Sequence, residues 1–110
     1  MILDLSSLRS VIAAAEQGSF RQAAAALNIK QSALSRRIRQ LEEQLEVSLF
    51  ERSSGGVRLT PAGASMTHSA RRLFEGIDHM VKASQLADRG EMGVLKAGFA
   101  TAVSASKVLT

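Results

Sequence analysis

Arg36, Arg37 and Arg39 crowd one short stretch, and Gln31, Ser32, Ala33 and Ser35 lead into it. These side-chain types suit the edges of base pairs. A guanidinium can donate two parallel hydrogen bonds to guanine O6 and N7, and a glutamine amide can pair with adenine N7 and N6. Serine and alanine are small enough to let a helix sit deep in a major groove, where Ala33 offers a methyl contact to thymine. The chemistry requires that all of them share one face of one helix.

The apolar residues define that helix. Leu34, Ile38, Leu41 and Leu45 are spaced four, three and four apart, an inward stripe at helical period. At about 100° per residue, Ser32, Arg36, Arg39 and Glu43 point the opposite way, with Gln40 close by. Gln31, Ala33 and Ser35 flank the leading end, and Arg37 falls nearer the core boundary. A helix N-terminus is electropositive and accommodates nearby phosphate. Glu42, Glu43 and Glu46 gather at the far end, where a helix would leave the groove. The plainer reading is a solvated face with i,i+4 pairs such as Arg39 with Glu43. The elements on either side decide between the two.

Upstream, Leu5, Leu8, Ile12 and Ala15 recur at helical spacing with Val11 beside them, which predicts a first helix from about Asp4 to Gln17. Gly18 suits its stop. Ser19 and Gln22 form S-x-x-Q, a capping box that opens a second helix with Phe20, Ala23, Ala24 and Leu27 facing inward. Asn28-Ile29-Lys30 breaks the pattern before the arginine-bearing helix. Two short helices joined by a three-residue turn fit a helix-turn-helix. Downstream, Leu49-Phe50-Glu51-Arg52 and Val57-Arg58-Leu59 alternate around Ser53-Ser54-Gly55-Gly56, which predicts a small hairpin. Thr60-Pro61 supplies a cap and a first-position proline for a long helix reaching about Arg89.

That helix carries Met66, Ala70, Leu73, Ile77, Met80, Ser84 and Ala87 at alternating spacings of four and three, a heptad seam, with Phe74 and Val81 beside it. The seam requires a partner, since the small N-terminal core cannot cover so long a helix. Gly76 near its midpoint costs about 1 kcal/mol against alanine, a cost that a close helix crossing would rationalise. Residues 88–93 read as a hinge. Leu95, Ala97 and Phe99 then alternate as one strand, and a lone strand is not a domain. The expected organisation is therefore a helix-turn-helix unit with a hairpin over 1–60, a long helix with an uncovered seam over 61–89, and over 90–110 a hinge and one strand of a second domain.

Composition narrows the classes. The 110 residues hold 14 basic and 10 acidic side chains, a formal +4, with the excess shared evenly on either side of Thr60. Net charge is a weak pointer to nucleic acid; local clustering carries the argument. No cysteine is present, which excludes disulfides, thiolate metal sites and a cysteine nucleophile. The N-terminus lacks the basic start and apolar run of a signal peptide. No apolar stretch approaches the roughly 18 residues of a membrane helix, so the expected compartment is the cytoplasm. His68 and His79 lie eleven residues apart, about 16 Å along a helix, too far to share a metal ion. No serine is flanked by a recognisable histidine and carboxylate pattern. Ser53-Ser54-Gly55-Gly56 lacks the G-K-[ST] ending of a phosphate loop. An enzyme is not expected.

Together, E-x-G-S-F-x-x-A-A from Glu16, Q-S-A-L-S-x-x-I-x-x-L-E from Gln31, L-F-x-R from Leu49 and V-x-L-T-x-A-G from Val57 resemble the N-terminal domain of LysR-type transcriptional regulators. These motifs occur in order, and the resemblance covers about Leu3 to Arg89. GVLKAGF, residues 93–99, is similar to the first strand of that family's effector-binding domain. The resemblance implies a mainly α fold: a winged helix-turn-helix of three helices plus a two-stranded wing, followed by a long dimerisation helix. It implies that 1–60 is a DNA-binding domain, 61–89 a linker and dimerisation helix, and 90–110 a hinge and the first strand of a truncated effector-binding domain. It implies a homodimer that binds an interrupted inverted repeat in double-stranded DNA through the helix at about 31–46. Tetramers and RNA polymerase enter as further partners of full-length relatives, which also bind a small-molecule effector in the missing domain, partly through residues around 101–104. No cofactor is implied for this chain.

By the same resemblance, Gln31, Ser32, Ala33, Ser35 and Arg36 approach bases or adjacent phosphates, and Arg52 contacts the DNA backbone or minor groove beside the wing. Two departures stand out. Lys30 replaces the usual hydroxyl cap and is available as a phosphate contact. The wing tip carries no basic residue, which leaves Arg52 and Arg58 as the nearby cations. The competing reading is a helical interaction module whose arginines only solubilise it. That reading explains the heptads, but not the capping box, short turn and hairpin in one package.

Overall fold

The computed structural model describes residues 3–90, which form α1 (Leu5–Gln17), α2 (Phe20–Leu27), α3 (Gln31–Leu45), β1 (Phe50–Ser53), β2 (Gly56–Leu59) and α4 (Pro61–Asp88). Three helices, a two-stranded wing and a long fourth helix make the mainly α winged helix-turn-helix that the sequence predicts. The strand expected over 95–99 and the residues at 101–104 lie outside the described residues.

Local chemistry sets most element boundaries. Asp4 caps α1 by accepting the Ser7 N–H at 2.8 Å. Gly18 ends α1 in the left-handed region, returning its N–H to Ala14 at 2.9 Å. Ser19 then caps α2 by accepting the Gln22 N–H at 3.1 Å. Asn28 closes α2 in the left-handed conformation that its short amide tolerates. Lys30 precedes α3 with no side-chain cap, as expected from its lack of a hydroxyl.

The end of α3 was less legible. The helix is expected to reach about residue 46, yet it stops at Leu45, where Glu46 turns left-handed at φ 59°. Its N–H and that of Val47 both return to the Glu42 carbonyl. The turn brings the chain back along α3, and the Glu42 carboxylate accepts the N–H groups of Leu49 at 2.7 Å and Phe50 at 3.3 Å. A carboxylate assigned by sequence to the solvent end of the helix thus anchors the start of the wing.

The N-terminal unit, through Arg72, is organised around one core: Val11 and Ala14 of α1, Phe20, Ala23 and Ala24 of α2, Leu34, Ile38 and Leu41 of α3, then Leu49 and Phe50. The antiparallel hairpin pairs Phe50 with Leu59 and Ser53 with Gly56. It docks on the α1–α2 turn, where Val57 N–H donates to the Gly18 carbonyl at 3.0 Å. Gly56, at φ 130°, lies so near the Gly18 carbonyl that a Cβ there would overlap it.

Thr60 joins wing to α4. Its hydroxyl donates to the Ser48 carbonyl at 2.6 Å and accepts the Gly63 N–H at 3.0 Å, capping the helix. Gly63 meets the Leu49 carbonyl so closely that a side chain there would strike backbone. Residues 73–90 belong to a second unit, the remainder of α4.

Candidate nucleic-acid interface

α3 buries Leu34, Ile38 and Leu41 and leaves Leu45 half-buried, so the predicted inward stripe is the observed one. Lys30, Gln31, Ser32, Arg36, Arg39 and Glu43 are exposed, while Ala33 and Ser35 are half-buried on the flanks. Ion pairs join Arg58 to Glu51, Arg71 to Glu16 and Lys82 to Asp78, and among the described residues no carboxylate pairs with Arg36, Arg37 or Arg39. The Arg39–Glu43 pair of a self-neutralised surface is not formed. A row of cations and short polar groups therefore stands outward with its donors available to a ligand.

Arg37 departs from this row. It is half-buried and lines an open groove of about 450 Å³ between the N-terminal end of α1 and α3, together with Asp4, Ser7, Gln40, Leu41, Glu43 and Gln44. The Asp4 carboxyl is held below its ordinary pKa, first by the Ser7 hydrogen bonds and further by the charge of Arg37. Its position agrees with the sequence reading of a residue at the core boundary.

The two wing arginines have different surroundings. Arg58 faces Glu51 across the hairpin and pairs with it at 3.2 Å, both side chains being largely exposed. Such a pair is worth little in water, but it offsets the charge of Arg58. Arg52 instead sets its guanidinium carbon 4.9 Å from the centroid of the Phe20 ring. Phe20 in turn meets Phe50 edge to face, with centroids 5.5 Å apart and planes at 86°.

The seam residues fall into two groups. Met66 packs against the core cluster and Ala70 is 3% exposed, so both contribute to the N-terminal unit. In the second unit, Leu73, Met80 and Val81 are exposed at 48%, 61% and 45%, Phe74 and Ile77 are half-buried, and Ser84 and Ala87 are exposed. His68 and His79 are exposed. Among the described residues no cluster of metal-ligating side chains occurs, and no helix is long and apolar enough to cross a membrane.

Three residues make contacts that their local sequence does not specify: Glu42 reaches Leu49 and Phe50, Phe20 meets Arg52, and Thr60 bonds Ser48. Each acts across a tertiary contact, and nothing in its local sequence names the partner.

Comparison with known proteins agrees with this geometry. Residues 5–64 match the model of the bacterial regulatory helix-turn-helix protein, lysR family. The chain is 45% identical over 97 residues to the HTH-type transcriptional regulator TfdS of Cupriavidus pinatubonensis (strain JMP 134 / LMG 1197), a match covering 88% of this chain and 33% of that one. The chain thus spans about a third of the length of that relative. Among solved structures, the BenM_DBD/catB site 1 DNA complex superposes with a TM-score of 0.72 at 40% identity, covering 76% of this chain and 93% of that one. The CbnR_DBD–DNA complex superposes with a TM-score of 0.74 at 35% identity, covering 78% and 99%. By the family match over residues 5–64, on a fold with the capped helix pair, wing and long fourth helix, the chain belongs to the lysR family of bacterial helix-turn-helix regulatory proteins.

Proposed function

We propose that this chain is the sequence-specific DNA-binding part of a LysR-type transcriptional regulator, acting by binding rather than catalysis in the bacterial cytoplasm. The observation that carries the reading is the exposed, unpaired α3 face of Gln31, Ser32, Arg36 and Arg39 on a fold similar to domains solved on DNA. In this reading α3 enters a major groove. Arg36 is the leading base contact, with Gln31, Ser32, Ala33, Ser35 and Arg39 beside it. Lys30 grips a phosphate, and Arg52 contacts the DNA backbone or the minor groove beside the wing. Arg58 contributes less because Glu51 offsets it, and Arg37 less because it faces Asp4.

The functional division is a DNA-binding domain over 1–60, a linker helix over 61–89 and the beginning of an effector-binding domain over 90–110. A homodimer forms through Leu73, Phe74, Ile77, Met80, Val81, Ser84 and Ala87. Met66 and Ala70 extend that seam only as far as their own domain's packing leaves them free. Two α3 helices then reach successive major grooves, and the operator is an interrupted inverted repeat. In this reading, further assembly as a tetramer, contact with RNA polymerase and response to a small-molecule effector are functions of full-length relatives.

A salt titration on duplex DNA tests the reading. Binding through several phosphates releases counterions, so the logarithm of affinity should fall steeply and linearly with the logarithm of salt. Affinity that is weak and insensitive to salt would favour the rival helical interaction module.

A further inference from the structure

We propose that Phe20 is the positioning residue of Arg52, its ring holding the guanidinium where it meets a DNA phosphate. The inference rests on the DNA-binding reading above, and in particular on Arg52 as a backbone contact beside the wing. The guanidinium carbon stands 4.9 Å from the ring centroid, well inside the range of a cation–π interaction. The platform is rigid. Phe20 is 8% exposed and meets Phe50 edge to face. The two rings are also tethered independently: Phe20 follows the Ser19 cap of α2, and the Phe50 N–H is held by Glu42.

Arg52 itself remains exposed, and among the described residues no carboxylate lies within ion-pair distance of it. Its neighbour Arg58 is paired with Glu51. A ring face engages the cation's charge and flat surface without using its five N–H donors. Those donors remain for phosphate oxygens, which a guanidinium binds in a two-pronged fashion. Arginine is rich in rotamers, and freezing them on binding weakens association. Stacking on Phe20 restricts them beforehand. The ring should therefore influence DNA affinity through Arg52.

A double-mutant cycle of F20L and R52A tests this, with affinity measured at low salt on a labelled random-sequence duplex, since a phosphate contact acts on any sequence. F20L should weaken binding roughly two- to five-fold, the factor matching an exposed cation–π contact. F20L added to R52A should change nothing further, and F20Y, which keeps the ring, should bind like wild type. Equal loss from F20L with and without Arg52 would reduce Phe20 to a core residue and overturn the proposal. F20L also trims the core, so a second measurement uses wild-type protein without DNA: side-chain relaxation of the Arg52 Nε–Hε group. It should report an ordered side chain beside a mobile Arg39, and equal mobility of the two overturns the proposal whatever the variants do. If R52A binds as tightly as wild type, the inference falls while the DNA-binding reading stands. If the wild-type chain fails to bind DNA, both fall.

Discussion

Arg36 concentrates the functional claim at the level of single residues. It is exposed, has no carboxylate within ion-pair distance among the described residues, and sits opposite the buried stripe of Leu34, Ile38 and Leu41. An arginine that reads guanine contributes to discrimination, whereas one that touches phosphate contributes equally on every sequence. R36A should therefore cost about 1–3 kcal/mol at the specific operator and much less on random duplex. Fluorescence anisotropy on both DNAs measures the difference. A small, equal loss on both would make Arg36 a phosphate contact, and the base-reading role would pass to Gln31 or Arg39.

Between residues and domain, the elements depend on a few polar links. The Glu42 carboxylate ties α3 to β1 by accepting two backbone N–H groups, one of them on Leu49, which is fully buried. E42A leaves both donors without that acceptor, and losing a charged acceptor for a buried donor costs about 1–3 kcal/mol. Urea unfolding should show this loss, and hydrogen exchange should quicken first at Leu49 and Phe50. A loss shared evenly by every amide would mean that Glu42 stabilises the domain without specifically holding the wing. The α1 cap makes a second, pH-dependent prediction. The Asp4 carboxyl has a depressed pKa in the folded protein, so the unfolded chain takes up its proton first as pH falls. Its contribution is thus fully present above the ordinary aspartate pKa of about 3.9 and is lost as pH falls through the lower folded value. Asparagine keeps the cap but cannot ionise. The stability difference between wild type and D4N, followed by urea unfolding, should therefore shrink as the solution is acidified through that window, and a constant difference would rule out the linkage.

At the scale of the whole molecule, the decisive question is what covers the second half of α4. Leu73, Met80 and Val81 are exposed there on a helix whose heptad spacing suits a second helix. The proposed homodimer removes these side chains from water. I77D places a charge in the middle of that seam, and an unpaired buried charge opposes association by several kcal/mol. Sedimentation should show monomers of I77D at concentrations where wild type is dimeric. Helix content should be largely retained in the N-terminal unit, because its core lies before residue 73. A tight I77D dimer would move the interface elsewhere.

Much of this protein is local in its determinants, and those parts are legible in the chain itself. Helical periodicity fixes the inward face of α3, and with it the outward direction of Ser32, Arg36 and Arg39. Ser19 and Thr60 announce helix starts through side chains that reach only three residues ahead. The hairpin follows from alternation around Ser53-Ser54-Gly55-Gly56. Tertiary packing decided the rest. The left-handed turn at Glu46 has no glycine to signal it, and it alone returns Leu49 and Phe50 to Glu42. Arg37 and Arg39 look alike in sequence, yet one lines a groove with Asp4 and the other, among the described residues, has no ion-pair partner. Heptad spacing placed Met66 and Ala70 on the same seam as Ile77, but the N-terminal core packs against Met66, and Ala70 is buried. Periodicity specifies which side of a helix is apolar; only the fold specifies what that side meets.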